Sequence, residues 1–170
     1  RDSGHLTPLK QKNVDTGWGL ERILAFLNGT RDVYQTDLFA PVIAYIEEAS
    51  GVKYNADEKL TRSMRILADH LRTSVMLIGD EAKLLPSNTG AGYILRRLIR
   101  RAARHGRLLG IEGTFLAKLS EEVINGSKAG YPELEEKKEF IFNVIAKEEA
   151  NFNKTIDQGL ACLLYTSDAA

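Results

Sequence analysis

One cysteine in 170 residues, Cys162, leaves no partner for an intramolecular disulfide and no set of thiolates to hold zinc. Histidine is scarce as well: three scattered copies, so no cluster of metal ligands is expected. No apolar run approaches the roughly 20 residues that cross a bilayer, and the opening Arg1-Asp2-Ser3-Gly4-His5 carries no signal-peptide pattern. The expected location is the cytoplasm, with no membrane partner. Net charge is missing too, 23 Lys and Arg against 23 Asp and Glu, so any preference for a polyanion must come from local clustering. Methionine does not stand first, and the opening residues read as the middle of a strand pair, so further residues are expected upstream. What the chain does have is 44% hydrophobic and 27% charged residues, enough to bury the core of an ordinary globular domain.

The patterning is mainly α with a short N-terminal β segment. Residues 5 to 15 carry Pro8, polar turn formers and Val14, which suits a short hairpin or strand. From Leu20 the apolar residues Leu20, Ile23, Leu24 and Leu27 fall at i, i+3, i+4 and i+7, and Gly29 stands where a helix stops. Thr36-Asp37 supplies capping residues for a second helix, whose buried stripe is Phe39, Val42, Ile43 and Ile46 before Gly51. A third runs from about Asp57 to Ile78 on the stripe Leu60, Met64, Leu67, Leu71, Val75 and Ile78. The turn-rich stretch Gly79 to Gly92 is expected to be exposed and irregular, and a fourth helix follows it. Phe115 to Ile124 and Pro132 to Leu160 complete the series, with Pro132 suited to a first helical turn. The charged pattern stops at Leu160, and residues 161–170 are expected to be a non-native tail that takes no part in function.

Two places along this series carry chemistry. The first is the step from Asp15 through Gly17-Trp18-Gly19 into a helix with Glu21 and Arg22 in its first turns. Glycine lets a nucleotide approach the backbone, and a helix N-terminus offers unpaired amides and a positive dipole end to anions. A guanidinium at Arg22 can donate two hydrogen bonds to phosphate oxygens, and a carboxylate at Asp15 can hold an amino group. A plain strand-to-helix turn with surface Asp15 and Arg22 accounts for the same residues, since the third glycine of the dinucleotide pattern is absent.

The whole string decides more than its glycines do. Val14-Asp15-Thr16-Gly17-x-Gly19-Leu20-Glu21-Arg22 resembles the third signature motif of the class II aminoacyl-tRNA synthetases, in the form seen in the alanyl-tRNA synthetase family. That resemblance implies that Arg22 contacts the terminal phosphate of ATP, that Gly17 and Gly19 lie against the nucleotide, and that Asp15 binds the amino group of alanine. It implies ATP with Mg2+ as the energy source, alanine activation, and transfer to the terminal ribose of a tRNA. Trp18 departs from the family's usual methionine, and the family's other two signature motifs are not in this sequence. Without them the fragment is expected to be inactive by itself. Zinc is expected only in the family's editing domain, which is also outside it.

The second place is an arginine face. Between Glu81 and Glu112 there is no acidic residue, while Lys83, Arg96, Arg97, Arg100, Arg101, Arg104 and Arg107 all occur. At about 100° per residue the six arginines share one arc, with Ile94, Leu95, Leu98, Ile99 and Ala102 opposite. One face packs and the other is an electrostatic footprint for a phosphate backbone; a solvated face partly neutralised by glutamates from Glu133 to Glu139 is the alternative. Pro86-Ser87-Asn88 and Gly92 through Ala102 also resemble the helical tRNA-recognition region of the same family. There the asparagine matching Asn88 reads a G·U pair in the tRNA(Ala) acceptor stem, and arginines matching Arg96, Arg97, Arg100, Arg101 and Arg104 hold the backbone. Thr89-Gly90-Ala91 replaces the family's usual Glu-Gly-Arg, removing one expected positive charge.

Ala68-Asp69-His70-Leu71-Arg72 and Tyr131-Pro132-Glu133-Leu134 are family-like as well, which extends the resemblance over roughly residues 1 to 160. His70 reads as a structural histidine beside the core. The implied organisation is the end of a class II α/β catalytic domain over residues 1–30, then a helical tRNA-recognition domain over 31–160. A noncatalytic helical RNA-binding module, using the glycine turn only structurally, is the alternative from a different class.

Overall fold

The computed structural model describes residues 8, 10, 11, 13, 14 and 16–168. Its elements are α1 (Leu20–Leu27), a 3-10 turn (Val33–Gln35), α2 (Ala40–Ser50), α3 (Glu58–Gly79), α4 (Gly90–Leu108), α5 (Leu116–Ser127), α6 (Glu133–Glu136) and α7 (Lys138–Asp168). No strand occurs among the described residues, and much of the stretch expected to be extended, Asp15 included, lies outside them.

Local chemistry fixes most boundaries. Asp57 caps α3, its carboxylate accepting the Leu60 N–H at 2.9 Å, and Gly51 ends α2 at φ +70°, a left-handed conformation that glycine adopts without strain. Thr36 does not cap α2 with its side chain. Its hydroxyl donates to the Val33 carbonyl at 2.6 Å, Asp32 caps the 3-10 turn instead, and α2 starts three residues later with Pro41 in its first turn. The helix expected from Pro132 to Leu160 is two, broken at Lys137, whose ammonium donates to the Gly79 carbonyl at 2.6 Å and so caps the C-terminus of α3. Past Leu160, α7 continues to Asp168 because alanines and leucines are strong helix formers and neither Gly nor Pro interrupts them.

α3 and α4 form an antiparallel hairpin, with Ser63 near the start of one against His105 near the end of the other. α5 and α7 also run antiparallel, and α7 lies alongside α4. The core between them is made by Met64, Leu67, Leu71 and Ile78 of α3, Leu95 and Ile99 of α4, Leu116, Leu119 and Ile124 of α5, and Leu134 and Ile141, all fully buried. Each such side chain contributes about 1.5–3 kcal/mol by leaving water. α2 adds Val42, Ile43 and Ile46.

Two expected stripes differ. Ile94 is 58% exposed, because the packed face of α4 is centred on Leu95, Ile99, Ala102, Ala103 and Gly106 and Ile94 falls outside it. In α1 only Ala25 is buried; Leu20, Phe26 and Leu27 are 65%, 81% and 72% exposed. Among the described residues α1 meets chiefly the 3-10 turn and Arg72, neither of which covers its apolar face.

Candidate functional site

Gly19 ends the approach to α1 at φ +79°, and its carbonyl accepts the Ile23 N–H at 3.2 Å. No side chain caps the helix, so its first amides remain available to a ligand. Beside them opens a cleft of about 530 Å³, lined among others by Gly17, Trp18, Gly19 and Arg22 on one side and by Tyr34, Asp69 and Arg72 on the other. A Cβ on Gly17 would meet nothing within 4 Å, so the space above that backbone is open.

Arg22 is exposed and forms no ion pair with any described residue. Arg72 is different. It reaches across from α3 to Glu21 at 2.6 Å, its guanidinium lies 5.2 Å from the centre of the Phe39 ring, and its buried Nε has no hydrogen-bond partner among the described residues. The ion pair holds the Glu21 carboxyl below its ordinary range, so α1 is tied to α3 by a charged contact rather than by packing. On the 3-10 turn side, Asp32 accepts from Tyr54 Oη at 2.7 Å and from Arg65 at 2.8 Å, and Arg65 Nε donates to Tyr54 Oη at 2.6 Å. Burial pushes the Tyr54 phenol up to about 12, so it stays protonated and the network keeps the turn in place at the cleft's edge.

The arginine face of α4 is not uniform. Arg96 and Arg100 both turn to Glu148 of α7, at 3.4 and 2.6 Å, and Arg107 pairs with Asp157 at 2.7 Å. Glu148 is nearly buried. The carboxylates that neutralise α4 thus come from further along α7 than Glu133 to Glu139. Arg97, Arg101 and Arg104 are exposed and make no ion pair among the described residues; Arg97 rests 5.8 Å from the centre of the Tyr93 ring. The loop before α4 lies close against it because residue 92 is glycine: a Cβ there would stand 2.4 Å from both the Leu85 carbonyl and Ser87 Oγ. Ser87 N donates to the Gly92 carbonyl at 3.0 Å and its hydroxyl to the Thr89 carbonyl at 2.8 Å, which leaves Asn88 exposed at the tip with its Oδ1 accepting from Arg96.

A family model described as tRNA synthetases class II (A) matches residues 1–169. The chain belongs to that family. Similar curated proteins are an alanine–tRNA ligase of Natranaerobius thermophilus, 46% identical over 95% of this chain and 18% of its own length, and alanine–tRNA ligase 1 of Lachnoclostridium phytofermentans, 47% identical over 98% of this chain and 19% of its own. An alanine–tRNA ligase of Lactococcus lactis is 48% identical over 89% of this chain and 17% of its own length. The chain therefore spans less than a fifth of the relatives it matches.

For this class II synthetase chain, the structure brings Gly17, Gly19 and Arg22 to one cleft, while Asp15 lies outside the described residues. Asn88 and Arg96 are brought together, and Arg97, Arg101 and Arg104 share a second surface of α4 with Arg100 turned away from it. His70 is half-buried beside Asp69, 3.3 Å from its carboxylate, and among the described residues no three His, Cys, Asp or Glu gather to hold a metal. Sequence reading gave Arg72 no role, naming it only as the last residue of the family-like string from Ala68. Its partner Glu21 is 51 positions away, a separation that no local spacing rule reaches.

Proposed function

We propose that this chain is the part of an alanine–tRNA ligase in which the end of the ATP and alanine site joins the tRNA-binding helices. The observation that carries this reading is the match to alanine–tRNA ligases at 46–48% identity across nearly the whole chain. The open cleft at the N-terminus of α1 supports it. In this reading the alanine carboxylate attacks the α-phosphorus of ATP, pyrophosphate leaves, and the terminal ribose hydroxyl of tRNA(Ala) then takes the alanyl group with release of AMP. No protein nucleophile is required: positioning and neutralisation of phosphate charge supply the acceleration.

Gly17 and Gly19 let the nucleotide approach the backbone, Arg22 donates to its phosphates, and Asp15 holds the alanine amino group. Mg2+ bound with the triphosphate would supply further screening of its charge. Residues 1–30 close a catalytic domain whose strand precedes Gly17, residues 31–160 form the tRNA-recognition domain with Asn88 and the α4 arginines against the acceptor stem, and the enzyme works in the cytoplasm. The test places residues 1–160 in a curated relative in place of its own segment and measures alanine-dependent pyrophosphate exchange. The chimera is expected to be active, and Arg22→Ala to reduce exchange by about 10²-fold or more, the loss expected of one preorganised charged donor. An inactive but folded chimera overturns the reading, and exchange within about threefold of the chimera removes Arg22 from the site.

A further inference from the structure

On one helix, Arg96, Arg100 and Arg107 lie within about 40° of one another and Arg97, Arg101 and Arg104 within about 60°, the second group displaced toward α3. The first group is ion-paired to α7. Two of the second group stand by a different neighbour: His105 packs on Ser63 of α3 at 3.1 Å, and the charges of Arg101, Arg104, His70 and Arg62 act on its imidazole. Burial first, then those charges, hold its pKa below the ordinary value. Arg62 and Ser63 are adjacent on α3, so Arg62, Arg101 and Arg104 belong to one cationic seam between two helices.

Arg96 has a separate task. Its Nε faces Glu148 at 3.4 Å while its Nη1 donates to Asn88 Oδ1. Asn88 is exposed, and with its Oδ1 occupied the carboxamide has its Nδ2 hydrogens left to donate. Glu148 accepts a hydrogen bond from Arg100 Nε at 2.6 Å and holds Arg96 by charge alone, since the buried Arg96 Nε has no hydrogen-bond partner among the described residues.

We propose that the arginine face is two devices: Arg97, Arg101 and Arg104, joined by Arg62 of α3, form the surface that holds an RNA phosphate backbone, whereas Arg96, anchored by Glu148 with Arg100, positions Asn88. The proposal rests on the tRNA-binding reading above. Like charges spread over a solvent-facing seam attract a polyanion without first breaking a bond. A phosphate reaching Arg100 would have to displace a nearly buried carboxylate and leave it unpaired, which is costly. Arg96 and Glu148 are positioning residues: they act on the base-reading donor through Asn88.

The experiment measures binding of this chain to acceptor-stem RNA hairpins carrying G·U or G·C near the end, between about 50 and 200 mM salt. Arg97→Gln/Arg101→Gln/Arg104→Gln is expected to reduce the salt slope by about two to three, roughly 0.7–0.9 per lost phosphate contact, with the G·U preference unchanged. Glu148→Gln is expected to keep the slope and cut the G·U preference at least threefold. Because Glu148→Gln can perturb the α4 and α7 packing, Arg96→Lys is the second variant: one ammonium cannot reach Glu148 and Asn88 together, so it should cut the preference equally, with circular dichroism unchanged. An unchanged slope in the triple variant overturns the phosphate surface, and an unchanged preference in folded Arg96→Lys overturns the positioning role. A parent chain that binds neither hairpin overturns the inference, while the exchange assay on the chimera separately decides the enzymatic reading.

Discussion

Glu149, on α7, is fully buried, and its two carboxylate oxygens accept the backbone N–H groups of Phe115 and Leu116 at 3.1 Å each. It therefore caps the start of α5 from another helix, in the place an N-cap side chain would fill. Burial pushes its pKa from 4.5 up to about 7, and the two N–H bonds pull the other way without winning. The folded state thus binds this proton more tightly than the unfolded chain does. The group's stabilising contribution is complete below about 4.5 and is lost as pH rises toward and through about 7. The unfolding free energy of the parent, read from urea titrations, is expected to fall across that window relative to Glu149→Gln, by up to about 3 kcal/mol. A difference that stays flat from pH 5 to 8 would show that Glu149 does not titrate there. Nothing in Lys147-Glu148-Glu149 announces this arrangement: neighbours on a helix differ by about 100°, and only the partners, Arg96 and Arg100 for one and α5 for the other, tell the two glutamates apart.

Two helical glycines separate propensity from packing. At Gly106 in α4 a Cβ would lie 2.1 Å from Phe115 Cζ, whereas at Gly126 in α5 it would meet nothing within 4 Å. Alanine favours a helix interior over glycine by about 1 kcal/mol, so Gly126→Ala is expected to stabilise by a few tenths to 1 kcal/mol. Gly106→Ala carries the same gain but must displace the buried Phe115 ring, and thermal melts should show a net loss of about 1–3 kcal/mol. Equal signs for the two would mean that the α4 and α5 contact yields easily. The same distinction decides what could be read from the chain. Local signals placed the stripe and the end of α2 and both ends of α3, since the stripes from Phe39 to Ile46 and from Met64 to Ile78 and the caps Gly51 and Asp57 all act within a few residues, but they misplaced the start of α2. The glycine turn and the exposed Asn88 were legible for the same reason. The break at Lys137, the pull of Glu148 on Arg96 and Arg100, and the tie from Arg72 to Glu21 depend on contacts 48 to 58 residues apart, which periodicity does not encode. The division of the arginines was nevertheless latent in their angles, and a partner helix was needed to give it meaning.

At the scale of the molecule, the buried cluster begins at Phe39 and runs to Ile145, and α1 contributes to burial only through Ala25. What ties α1 down is the Arg72 to Glu21 pair, whose side chains are 20% and 31% exposed, a setting in which an ion pair is worth at most about 1 kcal/mol. Arg72 has a second contact that does not involve α1, its guanidinium lying over the Phe39 ring. Residues 1–29 and the bundle should therefore unfold as nearly independent parts, although the cleft with Gly17, Gly19 and Arg22 needs both. Removing residues 1–29 is expected to leave a cooperative helical melt with Tm within about 5 °C of the parent, the shift that 1 kcal/mol produces in a domain of this size. Leu71→Ala, made in both chains, sets the scale, because deleting a fully buried leucine should cost about 2–5 kcal/mol in each. If truncation costs as much as Leu71→Ala, or abolishes the transition, the N-terminal segment is part of the bundle's folding unit and the division near residue 30 is wrong.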